Sequence, residues 1–281
     1  MLLKSLSLFF VMLLPSYVSA EAIAGVPEVQ DQCKRISDRL ASLSYERCLS
    51  HDYELTGSHS VEGSPILIKS FQNEKDESRR PRILLIGGIH GNEYASISTV
   101  FKWITLLNRS HTDQYHWRIV PLLNPDGLMQ KPSTRTNADE IDLDRNFPTS
   151  GGDHNAMQYW KENTNQNPDY FPGNQALSEP ESQWLAEEIK EFRPDAIITI
   201  HAPLDSHAYK SSSINQSKKG AQYQQSITTF PGSFNQYVGT EINIPILTVE
   251  LPYSDIRSTK TEINEIWKSI LEWLSTHVKS S

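Results

Sequence analysis

The residues best suited to chemistry in this chain lie in the stretch GGIHGNEYAS, residues 87–96. It places His90 and Glu93 three positions apart, just after the apolar run RILLI, and His201 ends a second apolar run, AIITIH. Two histidines and a carboxylate can hold a catalytic zinc ion and leave one coordination position open. We therefore predict one Zn2+ at these three residues. The alternative for HxxE alone is a hydrogen-bonded surface histidine beside a glutamate at a helix N-terminus.

A fourth candidate stands in the run PILTVELP, where Glu250 is the one charged residue of an otherwise apolar strand. Burying a carboxylate is costly unless it is paired or neutralised, and burial raises its pKa. A carboxylate in such surroundings suits a general base that takes a proton from a metal-activated water. We predict this catalytic role for Glu250. An ordinary glutamate on an exposed edge strand is the alternative.

Two arginines lie in the polar stretch TRTNADEIDLDRNFP, residues 134–148. Arginine binds carboxylates through paired hydrogen bonds and stabilises oxyanions without titrating. Arg135 and Arg145 could therefore divide two tasks, one binding a substrate carboxylate and the other stabilising a tetrahedral intermediate. Ordinary surface salt bridges with the acids of the same stretch would explain the spacing equally well.

These candidates need a fold that brings distant strand ends together. The patterns predict strands over 53–56, 65–71, 82–89, 117–123, 196–201 and 245–251, and helices over 29–44, 93–107, 179–192 and 259–278. Thr259 and Glu262 form a capping box at the start of the last helix. Strands alternating with helices indicate a largely parallel sheet covered on both faces. Ligands gather at the carboxyl ends of such strands, where the predicted site residues lie.

The first twenty residues carry Lys4, an apolar core over 6–14 and the small-residue ending VSA. This pattern predicts a secretory signal peptide cut before Glu21, with a retained signal anchor as the alternative. The apolar run is too short for a membrane span. We therefore expect an exported protein, periplasmic or secreted, without stable membrane insertion. Without Lys4, 25 Lys and Arg residues face 34 Asp and Glu residues, which disfavours nucleic acid as a partner.

The chain has two cysteines, Cys33 and Cys48. In an exported protein a disulfide between them is expected, and closing so short a loop would contribute about 3 kcal/mol. Two unpaired buried thiols are the alternative. We divide the chain into a signal peptide over 1–20, an N-terminal extension over 21–63 with a helix and this disulfide, and a catalytic domain over 64–281.

Taken in chain order, the motifs resemble the zinc carboxypeptidases. That family has HxxE, a later Asp-x-Asn-Arg-Asn loop, a histidine ending one strand and a glutamate ending the next core strand; here these read HGNE, DLDRN, IH and VE. The stretches SEPES, IHAPL, PGSF and TVELP are most similar to the murein peptide amidase A branch. The resemblance covers most of the chain from residue 65 onward. It implies a single α/β domain with a mixed, largely parallel central sheet covered by helices on both faces.

The resemblance also implies roles for individual residues. Zinc binding would fall to His90, Glu93 and His201. Glu250 would be general base and then acid, Arg135 would stabilise the oxyanion, and Arg145, with Asn146 beside it, would bind the carboxylate of the departing residue. The branch cuts the bond between γ-D-glutamate and meso-diaminopimelate in cell-wall peptides. The expected function is therefore an exported zinc peptidase that hydrolyses this bond in murein peptides.

One position departs from the family pattern. The family usually has asparagine before the arginine, where this chain has Asp144. A negative charge there would repel a substrate carboxylate if it pointed into the pocket. Either Asp144 turns aside and orients Arg145, or it contacts an ammonium group such as that of diaminopimelate.

Other functions stay open beside the murein peptidase. A carboxypeptidase for ordinary α-linked C-termini would differ mainly in its pocket walls, where the sequence does not choose among Tyr209, Tyr223 and Tyr237. A zinc deacylase of N-acyl amino acids shares the HGNE start but generally adds a C-terminal β-domain, whereas 31 residues follow Glu250. A wall-peptide-binding protein without catalysis would need a defect in a residue set that is complete here.

Overall fold

One mixed sheet of eight strands runs through the part of the chain that the structure describes. The structure is a computed structural model and describes residues 20–72, 80–109, 114–202, 215–216, 222–224, 230–251 and 259–278. The strands are β1 (Glu54–His59), β2 (Pro65–Phe71), β3 (Arg82–Ile86), β4 (His116–Val120), β5 (Ala196–His201), β6 (Asn215–Gln216), β7 (Gln222–Gln224) and β8 (Ile246–Glu250). Their order across the sheet is β1-β2-β4-β3-β5-β8-β7-β6.

The centre of this sheet is parallel and its two sides are antiparallel. Strands β4, β3, β5 and β8 pair in parallel, whereas β1 and β2 on one side and β7 and β6 on the other pair antiparallel. Parallel neighbours need long crossover connections, which the alternation of strands and helices in the sequence provides. The predicted α/β domain with a mixed sheet is confirmed.

Helices lie on both faces of the sheet. They are α1 (Ala20–Arg39), α2 (Tyr45–Leu49), α3 (Tyr94–Arg109), α4 (Pro125–Met129), α5 (Asp153–Asn163), α6 (Pro180–Phe192), α7 (Phe234–Gln236) and α8 (Lys260–His277). The predicted capping box of α8 is present, because Glu262 N donates to Thr259 Oγ1 at 3.2 Å and Thr259 N donates to Glu262 Oε2 at 2.7 Å. The N-terminal helix was expected over 29–44 but ends at Arg39.

The strand β3 shows why the central runs are apolar throughout. Its residues Ile83 and Leu85 belong to the hydrophobic cluster that includes residues of α1, α3 and α8, whereas Leu84 and Ile86 belong to the cluster that includes residues of α6 and α7. A strand buried on both faces has no polar face to alternate with the apolar one. The uninterrupted run RILLI is the consequence.

The N-terminal extension packs on the same core. A disulfide between Cys33 and Cys48 joins α1 to α2, with the two Cα atoms 5.6 Å apart. Ile36, Leu40 and Leu43 are buried in the cluster that also contains α3. The division of the chain after residue 63 stays a prediction. The predicted signal peptide lies almost entirely outside the described residues, and none of the helices within them is long and apolar enough to cross a membrane.

A buried histidine of this extension, His51, packs against α3. Its Nδ1 accepts from Asn108 Nδ2 at 3.2 Å, so the neutral ring carries its proton on Nε2, 3.4 Å from Thr105 Oγ1. Burial, reinforced by the positive charges of Arg47 and Lys69, lowers the pKa of His51 from 6.5 to about 4. The folded protein therefore holds this ring uncharged at pH values where the unfolded chain protonates it.

This shift predicts a pH-dependent stability. The pKa of His51 is lower in the folded state, so its contribution is complete above pH 6.5 and is lost as the pH falls to about 4. The loss is about 3 kcal/mol. Thermal unfolding of H51Q between these pH values should lack that part of the dependence, whereas H154Q, at an exposed histidine of α5, should follow the parent. Equal pH slopes for H51Q and the parent would contradict a neutral buried His51.

Candidate metal centre

The three predicted zinc ligands meet at the carboxyl ends of two neighbouring strands. After β3, the turn over residues 87–93 carries His90 and Glu93 to the start of α3, and His201 is the last residue of β5. Their donor atoms lie within 4.8 Å of one another, and all three residues are buried. The next strand in the sequence, β4, lies on one side of β3, and the one after it, β5, lies on the other side. The order in which strands are added to the sheet therefore reverses at β3. Open α/β sheets bind ligands in the crevice at such a point.

Glycines allow the turn after β3 to fold tightly. Gly88 has a φ of +58°, and a Cβ at this position would lie 2.8 Å from a Leu122 methyl carbon. Such a φ strains any residue with a side chain. The Ser96 hydroxyl then fastens the turn, because it accepts from Gly88 N at 3.1 Å and donates to Ile200 O at 2.6 Å. This one side chain connects the turn, α3 and the end of β5.

The distances between donor atoms fit a single zinc ion. His90 Nδ1 lies 2.8 Å from Glu93 Oε1 and 3.3 Å from His201 Nδ1, and His201 Nδ1 lies 3.5 Å from Glu93 Oε2. Ligand atoms bound tetrahedrally to zinc at about 2.1 Å lie about 3.4 Å from one another. Two imidazole nitrogens that face each other and a carboxylate form a donor set suited to a divalent cation.

The charges of this group favour an ionised glutamate. Burial opposes ionisation of Glu93, but His90 and His201 outweigh it and hold the pKa of Glu93 well below its usual range. Burial likewise lowers the pKa of His201, yet its hydrogen bond with Glu93 and the charge of that carboxylate raise it to about 9. A metal ion would therefore compete with protons for the histidines.

Asp142, the first residue of the DLDRN motif, connects the metal centre to both arginines. No function was predicted for it. It is 0% exposed, and its Oδ1 lies 3.0 Å from His90 Nε2 and accepts from Asp144 N at 3.1 Å. Its Oδ2 accepts from Arg135 Nε at 3.1 Å and from Arg145 Nε at 3.0 Å. Burial opposes its ionisation, but the charges of Arg135 and His90 hold the pKa of Asp142 well below its usual range. With Nε2 of His90 bound to this carboxylate, Nδ1 presents its lone pair to a metal.

Aromatic rings flank the arginines, a feature that sequence reasoning missed. The guanidinium carbon of Arg145 lies 4.0 Å from the ring centroid of Phe230 and 4.6 Å from that of Tyr170, and that of Arg135 lies 5.1 Å from Tyr170. Such contacts hold a guanidinium group flat and in place. Of the candidate pocket tyrosines, Tyr237 stacks on a phenylalanine ring 5.5 Å away, and Tyr209 lies outside the described residues.

Glu250 occupies the end of β8, in register with His201 on β5. The strand lies between β5 and β7, so the alternative of an exposed edge strand is excluded. Burial raises the pKa of Glu250 to about 7, with Glu93 and Asp144 adding to the effect and His201 opposing it. Glu250 Oε2 is buried and has no hydrogen-bond partner within the described residues. The carboxyl group is therefore poised to exchange a proton near neutral pH.

Asp144 faces the same group of charges. Its Oδ1 is buried without a hydrogen-bond partner among the described residues, and burial raises the pKa of its carboxyl while His201 and His90 oppose that rise. The guanidinium of Arg145 pairs with Asp142 instead. Within the described residues no contact joins Asp144 to the guanidinium of Arg145, and both expectations for Asp144 stay predictions.

Asn146, predicted to lie beside Arg145 at the substrate, has its side-chain amide hydrogen-bonded within the protein. Its Nδ2 donates to Pro172 O, Gln175 O and Ser178 Oγ at 2.8 to 3.0 Å, and its Oδ1 accepts from Ser182 Oγ at 2.6 Å. The side chain is fully buried. These internal hydrogen bonds occupy the amide of Asn146 and hold the segment 172–182 in place. Its role beside Arg145 at the substrate stays a prediction. No local pattern in the sequence indicates these partners.

Comparison with known proteins identifies the family of this chain. Residues 53–216, more than half of the chain, match the zinc carboxypeptidase family (Peptidase_M14), and the chain therefore belongs to that family. The chain is 30% identical over 200 residues to murein peptide amidase A of Vibrio campbellii. The aligned region covers 69% of this chain and 77% of that relative. Family membership makes the protein a zinc metallopeptidase, and the group of His90, Glu93 and His201 could hold the Zn2+.

Two solved structures show the same fold. The crystal structure of murein-tripeptide amidase from Escherichia coli O157 matches with a TM-score of 0.54 at 23% identity, over 78% of this chain and 91% of that one. Carboxypeptidase A from Helicoverpa armigera matches with a TM-score of 0.56 at 20% identity, over 90% of this chain and 71% of that one. Identities this low establish the fold alone.

The position of Asp142 predicts an effect on zinc affinity. In D142N the carboxylate that orients the His90 ring becomes a neutral amide, so zinc should bind about 10- to 100-fold more weakly. Competition with a coloured chelator measures this affinity. D139N, at an exposed aspartate of the same stretch, should bind zinc as the parent does. Unchanged affinity in D142N would show that Asp142 does not support the metal site.

Proposed function

We propose that this protein is an exported zinc peptidase that hydrolyses the amide bond between γ-D-glutamate and meso-diaminopimelate in murein peptides. The observation that carries the proposal is the convergence on one buried site of three potential zinc ligands, a glutamate whose Oε2 has no hydrogen-bond partner among the described residues, and two oriented arginines. The similarity to murein peptide amidase A supports the substrate class.

In this proposal Glu250 moves the proton. Zinc bound by the three ligands would polarise the scissile carbonyl and lower the pKa of a water molecule. Glu250, with a pKa raised to about 7 chiefly by burial, accepts a proton from that water and later delivers it to the departing amine. Its Oε2, which has no hydrogen-bond partner in the described part of the chain, can accept the proton without breaking a hydrogen bond seen there.

The arginines would handle the negative charges of the reaction. Arg145 is hydrogen-bonded through Nε alone among the described residues, so its two terminal nitrogens can bind a substrate carboxylate side by side. Arg135, held against Asp142 through Nε and Nη2, would stabilise the charge that develops on the carbonyl oxygen. Both side chains are oriented before substrate binds, so little reorganisation is needed.

Asp144 would contact a positive group of the substrate. Its buried Oδ1 has no partner among the described residues, and a carboxylate beside it would be repelled. The free end of meso-diaminopimelate carries an ammonium group that could satisfy this oxygen. A departing residue with an apolar side chain would bring no such group.

Export of the chain is part of the same proposal. The N-terminal pattern of one lysine, an apolar core and a small-residue ending supports it. The disulfide between Cys33 and Cys48 also suits an oxidising compartment. Outside the cytoplasm the enzyme would meet wall polymer or the peptides released from it.

The proposed reaction predicts release of free diaminopimelate from L-Ala-γ-D-Glu-meso-diaminopimelate, detected by mass spectrometry. A chelator should abolish this release, and E250Q should slow it about 100- to 10,000-fold because the general base is lost. E272Q, at an exposed glutamate of α8, should behave as the parent.

Two outcomes would contradict this assignment. If E250Q turned over as fast as the parent, Glu250 would not be the base. If the tripeptide stayed intact while an α-linked peptide lost its C-terminal residue, the protein would act as an ordinary carboxypeptidase.

The ammonium contact predicts a change of specificity in D144N. The substrates are the tripeptide with meso-diaminopimelate and the same peptide ending in 2-aminopimelate, which lacks only the distal amine. D144N should lose about 10- to 100-fold in kcat/KM on the first, because a charged hydrogen bond is removed, and should be no worse than the parent on the second. An equal loss on both substrates would rule out the ammonium contact.

A further inference from the structure

The last residue of α1, Arg39, holds the chain segment that leads to Arg135. Its Nε donates to Leu128 O at 2.9 Å, and its Nη2 donates to Gln130 O at 2.7 Å and to Ser133 Oγ at 2.6 Å. These partners lie 89 to 94 residues away in the sequence. One guanidinium group thus fixes both ends of the segment 128–133, which has no regular secondary structure after α4.

Ser133 connects this contact to the metal centre. Its hydroxyl donates to Leu128 O at 2.7 Å and accepts from Tyr94 OH at 2.8 Å as well as from Arg39. Tyr94 is the first residue of α3 and directly follows the zinc ligand candidate Glu93. The segment is therefore held between the N-terminal extension and the turn that carries the metal-binding residues.

The backbone around Arg135 is fixed immediately afterwards. Thr134 N donates to Gly127 O at 2.9 Å, and Asn124 Nδ2 donates to Arg135 O at 3.1 Å. The segment 128–133 closes the short loop between Gly127 and Thr134, so a shift of the segment would disturb these two hydrogen bonds and through them the position of Arg135. Arg39 itself is well anchored, because Cys33 and Ile36 of α1 are fully buried and the disulfide ties α1 to α2.

We propose that Arg39 is a positioning residue for Arg135. The helix α1, which lies outside the span 53–216 matched by the family, acts on the reaction through the hydrogen bonds of Arg39 to the segment 128–133. This inference rests on the proposed function of Arg135 in stabilising the oxyanion. Arg39 does not touch the substrate.

The proposal predicts a loss of kcat in R39M. A misplaced oxyanion donor weakens interactions made in the transition state and not those of substrate binding. A displacement of about 1 Å at a catalytic group costs up to about 100-fold in rate, so we expect about a tenfold lower kcat with KM and zinc affinity changed less than about twofold. R39K, which keeps the positive charge and part of the hydrogen bonding, should recover part of the lost rate.

A matched control and a double variant separate positioning from stability. Arg35 lies on the same helix and donates to Ser64 Oγ at 2.9 Å, outside the segment, so R35M should keep the parent kcat. In an R135M background, R39M should lower kcat no further, because the group that it positions is already absent. Losses that multiply in the double variant, or an equal loss in R35M, would overturn the proposal.

Hydrogen exchange tests the contact without any substrate. Amides over residues 128–136 should exchange faster in R39M than in the parent or R35M, at a temperature well below the unfolding of each. Unchanged exchange there would refute the positioning role. If the parent cleaved no peptide while R39M still loosened this segment, the proposed function would fail and the contact itself would stand.

Discussion

The site is organised around one buried carboxylate, Asp142. A charge out of contact with water is tolerated only when it is paired and hydrogen-bonded. Here Oδ1 serves His90 and Oδ2 serves Arg135 and Arg145. Because the buried carboxylate of Asp142 must be paired, it orients the imidazole ring of His90 and both guanidinium groups at once. These hydrogen bonds restrict the relative positions of the three groups.

The balance of charge around Asp142 also explains the environment of Glu250 and Asp144. Four carboxyl groups, those of Glu93, Asp142, Asp144 and Glu250, surround the centre, and the two arginines supply two positive charges. Burial raises the pKa of both Glu250 and Asp144, which are also the two carboxyl groups with an unpartnered oxygen in the described site. The carboxyl groups of Glu250 and Asp144 are therefore the ones whose oxygens remain available for contact with a substrate or for proton transfer.

The sequence predicted the central strands because a buried strand has a local pattern, although β3 and β4 end at Ile86 and Val120, three residues before their predicted ends. A strand buried on both faces gives a continuous apolar run, and a polar residue at its end stands out, as His201 does. The helix α5 was missed because Ala156 is its one buried residue, so it shows no apolar stripe. Asn146 and Asp142 could not be understood from spacing, since their partners come from segments far along the chain or depend on which way a loop turns.

Buried polar side chains fix the conformation of the loop that carries both arginines. Between α4 and the turn at Leu143–Arg145 it has no ladder of backbone hydrogen bonds, so its course is fixed by individual contacts. Asn137 Oδ1 accepts from Asp139 N and Ile141 N, while Arg39 grips the earlier part. Contacts from the core and from α1 therefore fix the backbone that carries Arg135, although this part of the chain forms no strand. The helix α1 thus contributes contacts that hold the loop carrying Arg135.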